Sequence, residues 1–461
     1  MTGNTIMAGW ASEEITPELP CWLGGYVARG APAQAVHDPL YARALALGSD
    51  TSPFILIMCD LLAINDDLLH EARRRSAVLL PGSIMWLAAT HTHSGPAIEP
   101  SRFIPASGAV GVLQLDVDLS MLEQSSRIVE RIVSALVQAA QDAVARMHTV
   151  EVAWASAQTS AVVTNRDHPG SGEDTSLDLL CLYEISQNQS HEASVSSHLF
   201  RLPAAVVGSF PCHPTIRGAD NLAVSADLPG AFRRQLRALC GTTTWIMLAT
   251  GAAGDMSTRY TRQGQGFQEL ERLGALLAQQ AFEMLAHVRP LQLASSLARG
   301  MAVELAMKSP EDSDTLEQYT LTVQAEMRKA LDAGNAAQAR TLETILQGIR
   351  AAKRAVVEQS ATSRHVELST IIFGELALLA VPGELYNRLG VEIKRRVARP
   401  VLLLGYTNGY VGYLPTSDAY AHLDYEVLVS PFAPGSGERV RDAAIQLLNE
   451  RTVTEEGDEL L

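Results

Sequence analysis

The sequence predicts an α/β fold of mixed β-sheets flanked by helices, with a helical hairpin inserted at residues 310–359. Three observations predict it. Short apolar runs bounded by turn residues recur along the chain. Segments with apolar side chains at helical spacing alternate with them. One stretch rich in Ala, Gln, Glu and Arg interrupts the strand pattern, which then resumes.

Taken in order, PLYARALALGS, SPFILIMCDLLAI and SIMWLAATHTH read as strands or strand–helix units, the last cut by Ser94-Gly95-Pro96. Residues 125–147 carry apolar positions at helical spacing after a serine cap and predict an amphipathic helix. EVAWASAQTSAVVTN, LDLLCLYEI and AAVVGSFPCHPT return to strand composition. Helices are expected at about 229–239 and 267–287, the second with Leu270, Leu273, Leu277, Ala281 and Leu285 on one face. In 310–359 the central Gly334-Asn335 fits two helices folded into a hairpin. HVELSTIIF and LALLAVPGEL, joined by Gly374-Glu375, suggest a β-hairpin; a helix over about 385–397 and a strand VLLLGYTNGYVGYLP follow. With no repeat and no linker rich in Pro, Gly or Ser, residues 1–461 are expected to form one catalytic domain that contains the hairpin.

Composition narrows the function. The 461 residues are 47% hydrophobic and 19% charged, a balance that builds a core rather than a disordered chain. The 36 basic and 51 acidic residues give a net charge of −15, which excludes nucleic-acid or anionic-membrane binding driven by bulk charge. The five cysteines are widely spaced and include no CxxC pair, so neither a disulfide framework nor a thiolate zinc site is expected. The first twenty residues lack a signal peptide's basic and apolar regions, and no run approaches the roughly 18 apolar residues of a membrane span. A cytoplasmic protein with no integral membrane segment is therefore the expectation, with homo-oligomerisation left open.

Four places set polar residues directly after apolar strands, where the reactive groups of α/β enzymes collect. In Thr90-His91-Thr92-His93-Ser94-Gly95-Pro96 the two histidines would share one face of an extended strand, and neutral imidazoles ligate zinc; a surface turn with solvated histidines is the equal alternative. In Phe210-Pro211-Cys212-His213-Pro214-Thr215, His213 is either a partner to a loop carbonyl, the commoner fate of a lone histidine, or, as preferred, a candidate ligand, with Cys212 as packing. Ala249–Ser257 offers small residues that form either an anion nest with Ser257 beside it or a tight packing turn; it matches neither a P-loop nor a GxSxG elbow. In Val381-Pro382-Gly383-Glu384, the glutamate either complements a helix N-terminus or completes a His/His/Glu zinc site.

Together, and in this order, THTHSGP, Phe-Pro-Cys-His-Pro, GDMS, VPGE and Asn408-x-Tyr410-xx-Tyr413 resemble the catalytic domain of the neutral (non-lysosomal) ceramidases. Glu14-Ile15-Thr16-Pro17, Gly25-Tyr26 and Pro39-Leu40-Tyr41-Ala42-Arg43-Ala44 also fit that family's opening, and the resemblance spans nearly the whole chain. It implies a ceramidase-like catalytic-domain fold with one Zn²⁺ held by His91, His213, Glu384 and Tyr413. By the same resemblance His93, Arg166, Ser257 and Tyr425 are the catalytic residues. The implied reaction is hydrolysis of an N-acyl amide by zinc-activated water, on a small-molecule substrate. Two departures count against ceramide itself: this chain has no signal peptide and stops soon after Tyr425, and Thr258-Arg259 follows GDMS where ceramidases place Pro-Asn. Two other readings stand beside it: amide formation or acyl transfer of the lactam-cyclase type at the same zinc site, and a non-catalytic zinc-binding protein.

Overall fold

The computed structural model describes residues 3–26, 28–98, 119–170, 173–185, 201–309, 313–358, 361–422 and 424–450. Its main sheet is built from β1 (Thr5–Glu14), β2 (Tyr41–Gly48), β3 (Pro53–Cys59), β4 (Ile84–Ala89), β5 (His148–Gln158), β6 (Ser176–Glu184), β7 (Ala205–Phe210) and β8 (Trp245–Thr250), in the order β8-β7-β6-β5-β1-β2-β3-β4. The pairs β7–β8 and β3–β4 are parallel and the others antiparallel. A second sheet holds β9 (Ser296–Ala306), β10 (Ser363–Phe373), β11 (Leu376–Ala380) and β12 (Val401–Leu404), the last two parallel.

The two sheets pack face to face between outer helices. In β3 all seven residues are buried, and the period of two sorts them: Phe54, Leu56 and Met58 enter the core between the sheets, while Ile55, Ile57 and Cys59 meet the helices. In β11, Leu376, Leu378 and Ala380 face the same central core, and Ala377 and Leu379 the opposite side. A strand covered on both faces reads as a continuous apolar run, hence the lack of alternation in these segments.

Helices α1 (Asp66–Leu79), α2 (Leu119–Ala145), α3 (Asp227–Cys240) and α4 (Phe267–Met284) cover the main sheet. Helices α5 (Ser313–Asp332) and α6 (Ala336–Glu358) form the expected hairpin, turning at Gly334 with φ +68. The short α8 (Tyr425–Val429) sits under that hairpin, while α7 (Asn387–Arg396) and α9 (Ser436–Asn449) cover the second sheet.

Several sequence expectations are corrected. The helix expected over 125–147 runs over Leu119–Ala145. The helix α1 was not anticipated, although Asn65 caps it by accepting from Leu68 N at 2.9 Å and Asp66 and Asp67 occupy its first turn. Nor were α8 and α9. The long strand expected from Val401 stops at Leu404, because Tyr406 and Asn408 take positive φ (54° and 62°) and leave extended geometry. All five cysteines are buried and free. Among the described residues no helix is long and apolar enough to cross a membrane.

Candidate metal centre

The polar segments singled out in the sequence meet at the carboxyl ends of β4, β7, β8, β11 and β12, the position where open α/β sheets place their ligands. His91 and His93 converge, with Nε2 atoms 3.3 Å apart, but not as neighbours on an extended strand. β4 ends at Ala89, and His91 has φ +63, which turns its ring inward. A non-glycine residue held there carries strain that the surrounding fold maintains. Tyr406, also at positive φ, stacks on the His91 ring at 4.0 Å.

His213 follows β7 and is fully buried. Its Nδ1 donates to the Ala253 carbonyl at 2.6 Å, and His91 Nδ1 donates to that of Leu62 at 2.6 Å. In the neutral imidazoles these bonds select the Nδ1–H tautomer and turn each Nε2 toward the other. The two Nε2 atoms lie 3.1 Å apart, and Glu384 Oε2 lies 3.0 Å from the His213 nitrogen and 3.5 Å from that of His91. Two ring nitrogens and a carboxylate oxygen thus converge in a buried pocket, a donor set that suits a cation. Ligand atoms of His91, His93 and His213 all lie within 4.8 Å of one another. The residues present therefore fit a metal ion held by nitrogen and oxygen donors.

Electrostatics follow from burial. Burial and the nearby Arg166 push the His213 imidazole down to about 4. Burial, together with His91 and His213, holds His93 well below its usual value. For Glu384, burial opposes ionisation, but the two histidines beside it outweigh burial and hold its carboxyl well below the usual carboxylate range.

Glu384 does not simply begin a helix. Glu384–Leu385 pairs in parallel with Tyr413–Leu414, and α7 begins only at Asn387. That pairing sets Glu384 beside Tyr413, whose buried ring lies nearly parallel to that of His213 at 6.3 Å. Burial and Glu384 raise the Tyr413 phenol well above its usual value. Arg166 Nη2 donates to the Tyr413 hydroxyl at 3.2 Å, to the Gly254 carbonyl at 2.6 Å and to Glu426 Oε1 at 2.5 Å. Burial disfavours the Arg166 charge, but Glu426 and Tyr413 outweigh it and keep the guanidinium firmly protonated.

The segment Ala249–Ser257 packs tightly against its neighbours through its two glycines. Gly251 N donates to Phe210 O and Gly254 N to Leu385 O, so these amides are already used. A Cβ on Gly254 would lie 2.5 Å from the Glu384 carbonyl oxygen, so glycine is required for that approach. Ser257 is buried beside His213 on a backbone bridge, and its Oγ accepts from Arg259 N at 3.2 Å. Tyr425 stands edge-on to Tyr413 at 6.2 Å.

The chain superposes on the crystal structure of neutral ceramidase from Pseudomonas aeruginosa with a TM-score of 0.69 at 19% identity, covering 97% of this chain and 74% of that one. A second structure, a ceramidase complexed with C2, gives a TM-score of 0.69 at 19% identity over 97% of this chain and 75% of that chain. The chain has the neutral ceramidase fold. No protein-family profile and no curated protein sequence matches it.

Within that fold, sequence reasoning missed the groups that hold the donors in place. Tyr410 donates a short hydrogen bond to Glu384 Oε1, and Tyr406 donates to Oε2 at 3.4 Å. Glu426 anchors Arg166. The signal for two of these lay in the spacing of Tyr406, Tyr410 and Tyr413, of which only the last was given a role; Glu426 stood next to Tyr425 without one.

Proposed function

We propose that the chain is a zinc-dependent hydrolase of linear amides. The observation that carries this reading is the buried convergence of the His91 and His213 Nε2 atoms on the Glu384 carboxylate. These three would hold the ion, with the Tyr413 hydroxyl as fourth ligand. When bound, zinc supplies Lewis acidity toward a carbonyl and lowers the pKa of water to about 7.

The remaining work falls to the chain's own residues. Arg166 Nη2 donates to the Tyr413 oxygen, which favours the phenolate that a ligand must become. The same guanidinium, fixed by Glu426, stabilises negative charge as it develops on the substrate carbonyl oxygen; removing one such donor typically costs about 10²–10³ in turnover. His93, neutral because burial suppresses its charge, accepts a proton at a ring nitrogen and returns it to the amine nitrogen, which must leave neutral. Tyr425 is a second donor for that oxygen or nitrogen, and Ser257 shapes the turn that positions substrate.

The fold neighbours are named as ceramidases, which supports an N-acyl amine as the substrate class. Elemental analysis of the purified protein and hydrolysis of N-acyl amides of graded chain length test the proposal. The expected result is bound zinc, lost together with hydrolysis in His91→Ala and Glu384→Ala; metal retained in both variants refutes the ligand set.

A further inference from the structure

A cleft of about 250 Å³ opens away from the metal centre, sharing none of the residues described there. Four arginines line it, Arg43 from β2 and Arg233, Arg234 and Arg237 from α3, together with Asp38 and Tyr41. In a chain of net charge −15 such a concentration of guanidinium groups is a local reversal of sign.

Two of the four are already neutralised. Arg233 clamps Asp60 with both Nη atoms, at 2.9 and 2.6 Å, and Arg234 pairs with Asp38 at 3.0 Å and with Glu271. The other two are not. Arg43 donates from Nη1 to Ser12 Oγ at 3.1 Å and lies over the Tyr41 ring at 4.8 Å, but its buried Nε has no acceptor among the described residues. Arg237 is exposed at the rim and pairs with no carboxylate among the described residues. Burial, with Arg233 and Arg237 nearby, outweighs the attraction of Asp60, already clamped by Arg233, and pushes the Arg43 guanidinium down to about 9, so its charge is kept at neutral pH but only partly compensated.

We propose that this cleft binds a small phosphate-type oxyanion between Arg43 and Arg237. Arginine presents fixed N–H donors that match phosphate geometry, and an anion there supplies the missing Nε acceptor and adds countercharge to the one that Arg43 shares with Arg233 at Asp60. Arg233, buried against Asp60, and Arg234, exposed beside Asp38, complete the lining. The free ion and the phosphate of an ester share this chemistry.

The test is calorimetric titration of the full-length, metal-loaded protein with inorganic phosphate and with ethyl phosphate at constant ionic strength. Saturable binding is expected, weakened roughly tenfold or more in Arg237→Gln, in line with the loss of one charge-assisted hydrogen bond. Arg43→Gln should weaken it at least as much, and Arg328→Gln, on the helical hairpin, should leave it unchanged. Arg237 is at the surface, so that variant stays informative if Arg43→Gln fails to fold. Tighter binding of ethyl phosphate assigns the site to an esterified phosphate, and equal or weaker binding to the free ion; either supports the proposal. No saturable binding overturns it. So does binding that survives Arg237→Gln unchanged, which is the signature of phosphate on the metal instead.

Discussion

Tyr410→Phe removes one oxygen from the metal pocket and leaves the ring that stacks near His91 at 6.3 Å. That oxygen is the hydrogen-bond donor to Glu384 Oε1, in a pocket where the carboxylate is 1% exposed and water cannot replace the lost donor. A hydrogen bond to a buried charge contributes about 1.5–3 kcal/mol. Removing an outer partner of a metal ligand usually weakens metal binding roughly 10–100-fold, or about 1.4–2.7 kcal/mol, and the two scales agree. Zinc affinity measured by competition with a chromophoric chelator at pH 7.5 should fall within that span. Tyr406→Phe, whose hydroxyl is 3.4 Å from Oε2, should cost less. Wild-type affinity in Tyr410→Phe would show that Glu384 needs no orientation, and the argument that this carboxylate is a positioned ligand would fail.

The remaining predictions concern other parts of the molecule. His93→Ala should keep stoichiometric zinc while turnover falls about 10²–10³-fold, whereas Tyr413→Phe should lose affinity for the metal; loss of zinc in His93→Ala alone would make His93 the fourth ligand. Gly254→Ala should lower both Tm and zinc content, because its new Cβ meets the Glu384 carbonyl at 2.5 Å; an unchanged melting curve contradicts the packing described. Burial raises the Asp227 carboxyl from 3.8 to about 6, so the fold holds a proton that the unfolded chain releases. Between about pH 4 and 6 this group therefore removes stability as pH rises, by up to about 3 kcal/mol, with no further change above 6. Asp227→Asn, tolerated at φ +49, abolishes that component, so wild-type stability relative to the variant should decline from pH 4 to pH 7 in urea titrations; a constant difference refutes it.

The strands and the α5–α6 hairpin were legible because their signals are local: apolar runs with turn residues at their ends, and Gly334 between two helical segments. The helix α1 was obscured because His70-Glu71-Ala72-Arg73-Arg74-Arg75 is largely polar and only Leu68, Leu69, Ala72 and Ser76 are buried. The strand beyond Leu404 was overextended because its Tyr and Gly residues suit both a strand and a chain of left-handed turns. At the site, His91, His213 and Glu384 stood out as polar groups after apolar strands. Their supports did not: the carbonyls of Leu62 and Ala253 carry no residue-specific signature, and the Tyr410–Glu384 and Arg166–Glu426 contacts join residues distant in sequence. His91 and His93 were brought together for the wrong reason, since the kink at His91 rather than strand alternation makes them meet.

His91 and His213 follow strands of the main sheet, whereas Glu384 lies on the short strand that follows β11 of the second sheet and pairs with Tyr413–Leu414, so the carboxylate meets the imidazoles where the two layers dock. On the proposed function, a bound metal would join His91 and His213 to a carboxylate 293 and 171 residues further along the chain. A fragment ending before Ser296 would keep both imidazoles and lose the clasp.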